Sequence, residues 1–369
     1  MKKKVIVFFG TRPEAIKLAP VIDLLLKNEN FNTLICSTGQ HKEMLQQVVD
    51  FFEIPVHFSL EIMEANQQLA ALTARLLVKI NDLLLAEKPD LIMVQGDTTT
   101  TLAASLAAYY NKIKVLHVEA GLRTFNKFSP FPEEVNRIIT TRLTDFHYPP
   151  TAHARQNLLN EGVLPEQILV TGNTVIDALF LGLKKIEDAI PAGITASGLH
   201  DIKNYLLVTM HRRENHGDGV RNICLAIKRI VDETSVPVIF PVHLNPNVKD
   251  MVYELLGGHP LIHLTHPFPY PEFLWLLDNS FLVLTDSGGV QEEAPSLGKP
   301  VLLLRDTTER PEAVAAGTAL KVGSDAELIY TEAMILLTNV AAYEAMAMKS
   351  NPYGDGHAAE RILHSMLGM

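Results

Sequence analysis

Short apolar runs that end on a glycine or a polar residue recur along the chain, with longer amphipathic stretches between them. In the first half the runs are VIVFFG (5–10), TLICSTG (33–39), DLIMVQG (90–96), KVLHVEA (114–120) and ILVTG (168–172). Residues 15–26, 69–85 and 99–110 space their apolar positions as helices do. A continuous apolar run suits a strand buried on both faces, and its alternation with helices predicts βαβ units round parallel sheets. The pattern then restarts with YLLVTMH (205–211), VPVIFPVH (236–243), LIHLT (261–265), FLVLTDSGG (281–289) and VLLLRD (301–306). At 369 residues the chain exceeds what one hydrophobic core usually organises. Residues 181–204 include Pro191, Gly193 and Gly198 and form the predicted linker. The expected architecture is α/β: two Rossmann-like doubly wound domains with an interdomain cleft, ending at 352–369 in a loop and a short helix.

Ligands of such sheets bind beyond the carboxyl ends of the strands, so polar residues that directly follow a strand are the candidates for chemistry. GTRPEAIK, residues 10–17, brings Arg12 and Lys17 to a helix start. That suits an anion, or equally a plain turn with two solvated cations. Asp97 follows the third run, either as a helix cap or as a working acid, and the threonines at 98–101 are more than capping needs. Glu119 ends a buried strand, where a carboxylate is costly unless used or paired, Arg123 being the structural alternative. SPFPEE, residues 129–134, delivers Glu133 and Glu134 to a helix start, where the helix dipole favours acids in any case. Asp97, Glu119 and Glu133 together suit acid/base work, because neighbouring carboxylates push one another's pKa values apart. His211, followed by Arg212 and Arg213, is placed to protonate or neutralise a leaving phosphate, or else simply opens a solvated Arg-rich helix. Ser287-Gly288-Gly289 turns from a strand into a helix with bare N–H groups, a cradle for a diphosphate. Glu293 lies further along that helix, within reach of ribose hydroxyls, and Arg310 adds a cation to the same rim.

The formal net charge of −10 argues against a nucleic-acid partner. Two distant cysteines, Cys36 and Cys224, with no Cys/His cluster, read as buried thiols of a cytoplasmic protein. No apolar stretch is long enough to insert in a bilayer, and the apolar part of MKKKVIVFFG is too short for a signal peptide. The 14 histidines never take a metal-ligand spacing, and Gly354-Asp-Gly356 has no strand before it. Neither a metal nor a dinucleotide cofactor is expected.

In this order, GTRPEAIK, GDTTTT, HVEAGLRT, SPFPEEVNR, HRREN, PVHLNPNV, TDSGGVQEEAPSLGKP, RDTTERPEA and NPYGDG resemble the non-hydrolysing bacterial UDP-N-acetylglucosamine 2-epimerases over nearly the whole chain. The resemblance implies a GT-B fold in which residues 1–180, joined by a C-terminal helix at 352–369, form one domain and residues 181–351 the UDP-binding one. It implies interconversion of UDP-GlcNAc and UDP-ManNAc without a cofactor, by a homodimer, supplying ManNAc units for surface polysaccharide. By the same resemblance Asp97, Glu119, Glu133 and His211 are catalytic. Arg12, Lys17, Phe273, Ser287, Gly288, Gly289, Glu293 and Arg310 bind substrate, Phe273 near the uracil. Some members bind a second UDP-GlcNAc as activator, and Gln40 and His243 match positions used for it.

The C2 proton of such a sugar is not beside a carbonyl, so a carboxylate cannot simply remove it. Elimination of UDP from C1 with loss of the C2 proton, then re-addition, needs cations on a diphosphate and a carboxylate base, and the motifs supply both. Which of the three acids is the base stays open. A GT-B glycosyltransferase, a hydrolysing 2-epimerase and a silent UDP-sugar sensor share the UDP site. Incubation with UDP-GlcNAc and no acceptor separates them.

Overall fold

The computed structural model describes residues 2–39, 42–62, 68–212, 215, 217–306 and 310–369, less the side chains of residues 42 and 43. The chain divides into two compact units, Met1–Leu181 with Tyr353–Met369, and Gly182–Pro352. Each holds one parallel six-stranded sheet.

The first sheet comprises β1 (Lys3–Phe9), β2 (Phe31–Ser37), β3 (Phe58–Ser59), β4 (Leu91–Gln95), β5 (Lys114–Val118) and β6 (Phe146–Tyr148), in the order β3-β2-β1-β4-β5-β6. β1 lies at its centre, with Ile6 opposite Leu34 on one side and Ile92 on the other. Ile6, Val7 and Phe8 have no exposure, which is why this run reads apolar without alternation. The helix Thr99–Tyr110 turns Ala103, Ala104, Ala107 and Ala108 inward, and these small side chains let it lie close against the helix Leu69–Glu87 through Leu76, Ile80 and Leu84.

The second sheet comprises β7 (Leu206–Thr209), β8 (Val238–Pro241), β9 (Ile262–Thr265), β10 (Leu282–Thr285), β11 (Val301–Leu303) and β12 (Ala319–Lys321), in the order β12-β11-β10-β7-β8-β9. Counted from its own first strand, this order repeats that of the first sheet. Both units are Rossmann-like, and in each the strand order reverses beside the first strand, between β1 and β4 and between β7 and β10. Chain leaving those strands diverges to opposite sides and opens a crevice at their carboxyl ends.

Two expectations need correction. Residues 168–172 are not a strand: Ile168 makes one bridge to His147, and Leu169 and Val170 stay 41% and 37% exposed beyond the edge. The edge belongs instead to β6, whose three residues are too short a run to stand out. The 182–204 stretch is built into the second unit rather than being a bare linker. Its short helix Ala192–Ala196 packs on the helix Tyr270–Asn279, and Gly193 permits this because a Cβ there would lie 2.9 Å from Glu272 Oε1. Among the described residues no helix is long and apolar enough to cross a membrane.

Candidate active site

At the switch point of the first unit the turn after β1 is fixed by a carboxylate in the first turn of the following helix rather than at the strand end. Glu14 accepts from the N–H groups of Gly10 (3.0 Å) and Thr11 (2.8 Å) and from the hydroxyls of Thr11 (2.8 Å) and Thr98 (2.7 Å). It thereby ties the turn after β1 to the turn after β4. Burial pushes its carboxyl up, and these hydrogen bonds only partly oppose that. The spacing Thr11-x-x-Glu14 is the sequence signal that could have found it. Arg12 begins the helix Arg12–Lys27, half-buried, and its side chain makes no hydrogen bond or ion pair among the described residues.

Asp97 follows β4, but it is not the cap of the next helix. Thr98 holds that place, accepting from Thr101 N at 3.2 Å. Asp97 is left with Arg137, whose Nη2 stands 2.5 Å from Oδ2, and its side chain keeps 26% exposure. Burial pushes the Asp97 carboxyl above its ordinary value, Arg137 pulls it down, and nearby Glu119 pushes it up again. The helix Glu133–Leu143 supplies this setting. Asn136 donates to the Asp97 carbonyl at 2.9 Å, and buried Glu134 steadies Arg137 at 3.1 Å while accepting from the N–H groups of Thr124 and Phe125. Of the adjacent acids Glu134 is therefore structural. Glu133, half-buried, makes no such bond among the described residues.

Glu119 sits just past β5 with φ 61, left-handed backbone that a non-glycine residue adopts at a cost of about 1–3 kcal/mol. Its carboxylate accepts from Lys17 Nζ at 2.5 Å, from Asn173 Nδ2 at 3.4 Å and from Gln95 Nε2. The alternative pair with Arg123 does not form. Arg123 instead grips Glu161 at 2.6 and 2.9 Å. Gly121 is required two residues on: at φ +86, a Cβ would fall 2.3 Å from the Ala154 carbonyl oxygen.

In the second unit His211 and Asp286 face each other across the β7–β10 switch. Asp286 has no exposure and accepts from His211 N (3.0 Å), Arg212 N (2.8 Å), Asn215 Nδ2 (3.1 Å) and His211 Nδ1 (3.0 Å). Burial alone would raise its carboxyl, but His211 and the backbone N–H groups outweigh burial and hold it below the ordinary range. Ser287 precedes the short helix Gly288–Glu293 with its hydroxyl unused as a cap. Arg310 lies over Gly288, where a Cβ would come within 2.6 Å of its Nη1, and its Nε donates to Glu292 at 2.5 Å. A Cβ on Gly289 would meet nothing nearer than 3.9 Å. Glu293 accepts from Tyr270 OH at 3.2 Å, and Phe273 lies half-buried one turn further along the Tyr270 helix.

The sequence profile of the UDP-N-acetylglucosamine 2-epimerase family matches residues 24–367. The chain belongs to this family. The UDP-N-acetylglucosamine 2-epimerase of Escherichia coli K12 is 48% identical to it, over 98% of each chain. The Neisseria meningitidis UDP-GlcNAc 2-epimerase, solved bound to UDP-GlcNAc, superposes with a TM-score of 0.89 at 47% identity, covering 99% of this chain and 100% of that one. The Methanocaldococcus jannaschii UDP-GlcNAc 2-epimerase, solved with UDP-GlcNAc and UDP, gives 0.83 at 36% identity, with the same coverage. These 2-epimerases are isomerases of GT-B type, and the two Rossmann-like units here have that architecture.

Of the residues singled out, the structure brings Lys17 to Glu119, sets Asp97 beside Arg137, and gathers Ser287, Gly288, Gly289, Glu293 and Arg310 round one short helix. His243 is exposed, its ring centroid 6.2 Å from that of His211. Gln40, Arg213 and Glu214 lie outside the described residues. Sequence reasoning missed Gln95, Asn173, Arg137, Tyr270 and Asp286. Of these five only Asp286 carried a clear signal, as an acid directly behind an apolar strand. Among the described residues no three His, Cys, Asp or Glu side chains gather as metal ligands would.

Proposed function

We propose that the chain interconverts UDP-GlcNAc and UDP-ManNAc by elimination and return of UDP, without hydrolysis. The C1–O bond to UDP breaks, the C2 proton passes to a carboxylate, and the C–H electron pair forms the C1=C2 bond of a 2-acetamidoglucal. UDP then adds back to C1 as a proton returns to the other face of C2. Asp97 carries the reading. It is partly exposed, relieved of capping, fixed by Arg137 at a strand switch point, and raised in pKa by burial. A carboxyl so raised is, once ionised, a stronger base than an exposed aspartate, as removal of the C2 proton requires. Glu119, held by Lys17, Gln95 and Asn173, is assigned to orienting Lys17 and setting the local field, and Glu133 to proton return. Arg12 and His211 balance the charge of departing UDP. Ser287, Gly288, Gly289 and Arg310 hold its diphosphate, Glu293 its ribose, and Phe273 its uracil.

On this reading residues 181–351 are the UDP-binding domain, and residues 1–180 with 352–369 the domain that bears the acids. The active form is a homodimer, to be checked by light scattering after gel filtration, and its product supplies ManNAc units for surface polysaccharide. A second UDP-GlcNAc at Gln40 and His243 would show as activation in the rate against substrate concentration. The deciding experiment is incubation with UDP-GlcNAc alone in deuterated water, followed by NMR. The expected result is a mixture of both UDP-sugars carrying deuterium at C2. Free ManNAc would point to the hydrolysing reaction, and an unlabelled product would sink elimination.

A further inference from the structure

We propose that Asp286 is a positioning residue that holds His211 protonated at Nδ1 and so turns Nε2 outward as the atom that meets the diphosphate. The proposal rests on the function argued above. An ionised carboxylate only accepts hydrogen bonds, so the 3.0 Å contact from His211 Nδ1 to Asp286 Oδ1 places the proton on Nδ1. Both Asp286 oxygens also accept from His211 N at 3.0 Å, so one carboxylate fixes the main chain and the ring of the same residue. Arg212 N at 2.8 Å and Asn215 Nδ2 at 3.1 Å complete its set, and Asn215 is itself anchored to the Leu304 carbonyl at 3.0 Å. Asp286 is wholly buried, whereas the His211 side chain is 41% exposed. The acid therefore reaches a ligand only through the imidazole. Nε2 has no partner among the described residues. Nearby His243, 6.2 Å between ring centroids, is too far to share the Nδ1 proton.

The test compares the full chain with Asp286→Asn, His211→Gln and the double variant, together with histidine ¹⁵N NMR of the wild type. Asp286→Asn, with the shape kept, should lower kcat about 100-fold while KM moves little. In the His211→Gln background the same change should cost nothing further, because both substitutions remove one function. The wild-type spectrum should show His211 protonated at Nδ1. Unchanged kcat in Asp286→Asn, multiplicative losses in the double variant, or a neutral His211 protonated at Nε2 would each overturn the proposal. Should Asp286→Asn fail to fold by circular dichroism, the wild-type spectrum decides alone. A wild type that makes no UDP-ManNAc would overturn the function reading, and the ¹⁵N result would still be read on its own.

Discussion

Asp97 and Glu119 lie at neighbouring strand ends, yet their surroundings differ, and the proposed reaction uses them differently. Glu119 accepts from Lys17, Gln95 and Asn173, which hold its carboxylate in place. Asp97 is paired with Arg137 and keeps some exposure. Asp97→Asn should lower kcat by about 10²–10⁴-fold with substrate still bound, checked by steady-state kinetics beside a UDP titration. A base must be ionised, and burial sets this carboxyl above its ordinary value. The acid limb of the pH–rate profile should therefore lie above the range of an exposed aspartate. Arg137 pulls the value down, so Arg137→Gln should shift that limb to still higher pH. Gly288→Ala asks a different question. Its methyl would meet the guanidinium of Arg310 rather than backbone, so UDP affinity should fall, by calorimetry, with little change in melting temperature.

At the scale of elements, β5 and β6 place His117 directly beside His147 in the sheet. His117 Nε2 donates to the Gly96 carbonyl at 2.7 Å, and burial lowers the two imidazoles from 6.5 to about 4 and about 3. Folded values below the unfolded one mean that the unfolded chain takes up protons first as pH falls. Stability should thus be full above about pH 6.5 and lost progressively down to the folded values, on the order of a few kcal/mol. Urea unfolding across that range checks this, and His147→Phe should flatten the slope. The helix Glu133–Leu143 shows why adjacent acids cannot be told apart by composition. Glu134 turns inward to Thr124, Phe125 and Arg137, and Glu133 does not. Two positions on one helix differ by a rotation of about 100°, and only packing says which faces in.

At the scale of the molecule, the chain ends where it began. The last helix, Ala358–Leu367, buries Ala359, Ile362 and Met366 in the first unit and packs on the helix Arg12–Lys27. Ala359 N donates to Asp177 at 2.8 Å, and Arg361 Nη1 to the Thr171 carbonyl at 2.9 Å. Asn173, which reaches Glu119 through its side chain, donates its N–H to the Tyr353 carbonyl at 2.6 Å. The returning segment therefore braces the site as well as the core. Ile362→Ala should cost about 2–5 kcal/mol by chemical denaturation.

The sequence by itself determined the two parallel sheets, because strands buried on both faces must be apolar throughout, and it pointed to the strand ends because turns there are forced to be polar. It also pointed to Ser287–Gly289 as a candidate cradle, since a strand turning there into a helix leaves N–H groups at the helix start. Tertiary structure decided the pairings. Lys17 meets Glu119 and His211 meets Asp286 across separations of 102 and 75 residues, and no local pattern encodes such a contact. It also decided that Thr98, not Asp97, caps its helix, and that ILVTG hangs beyond the sheet edge. Backbone geometry at the turn and the place already taken by β6 settle those points, and both arise only when the elements are assembled.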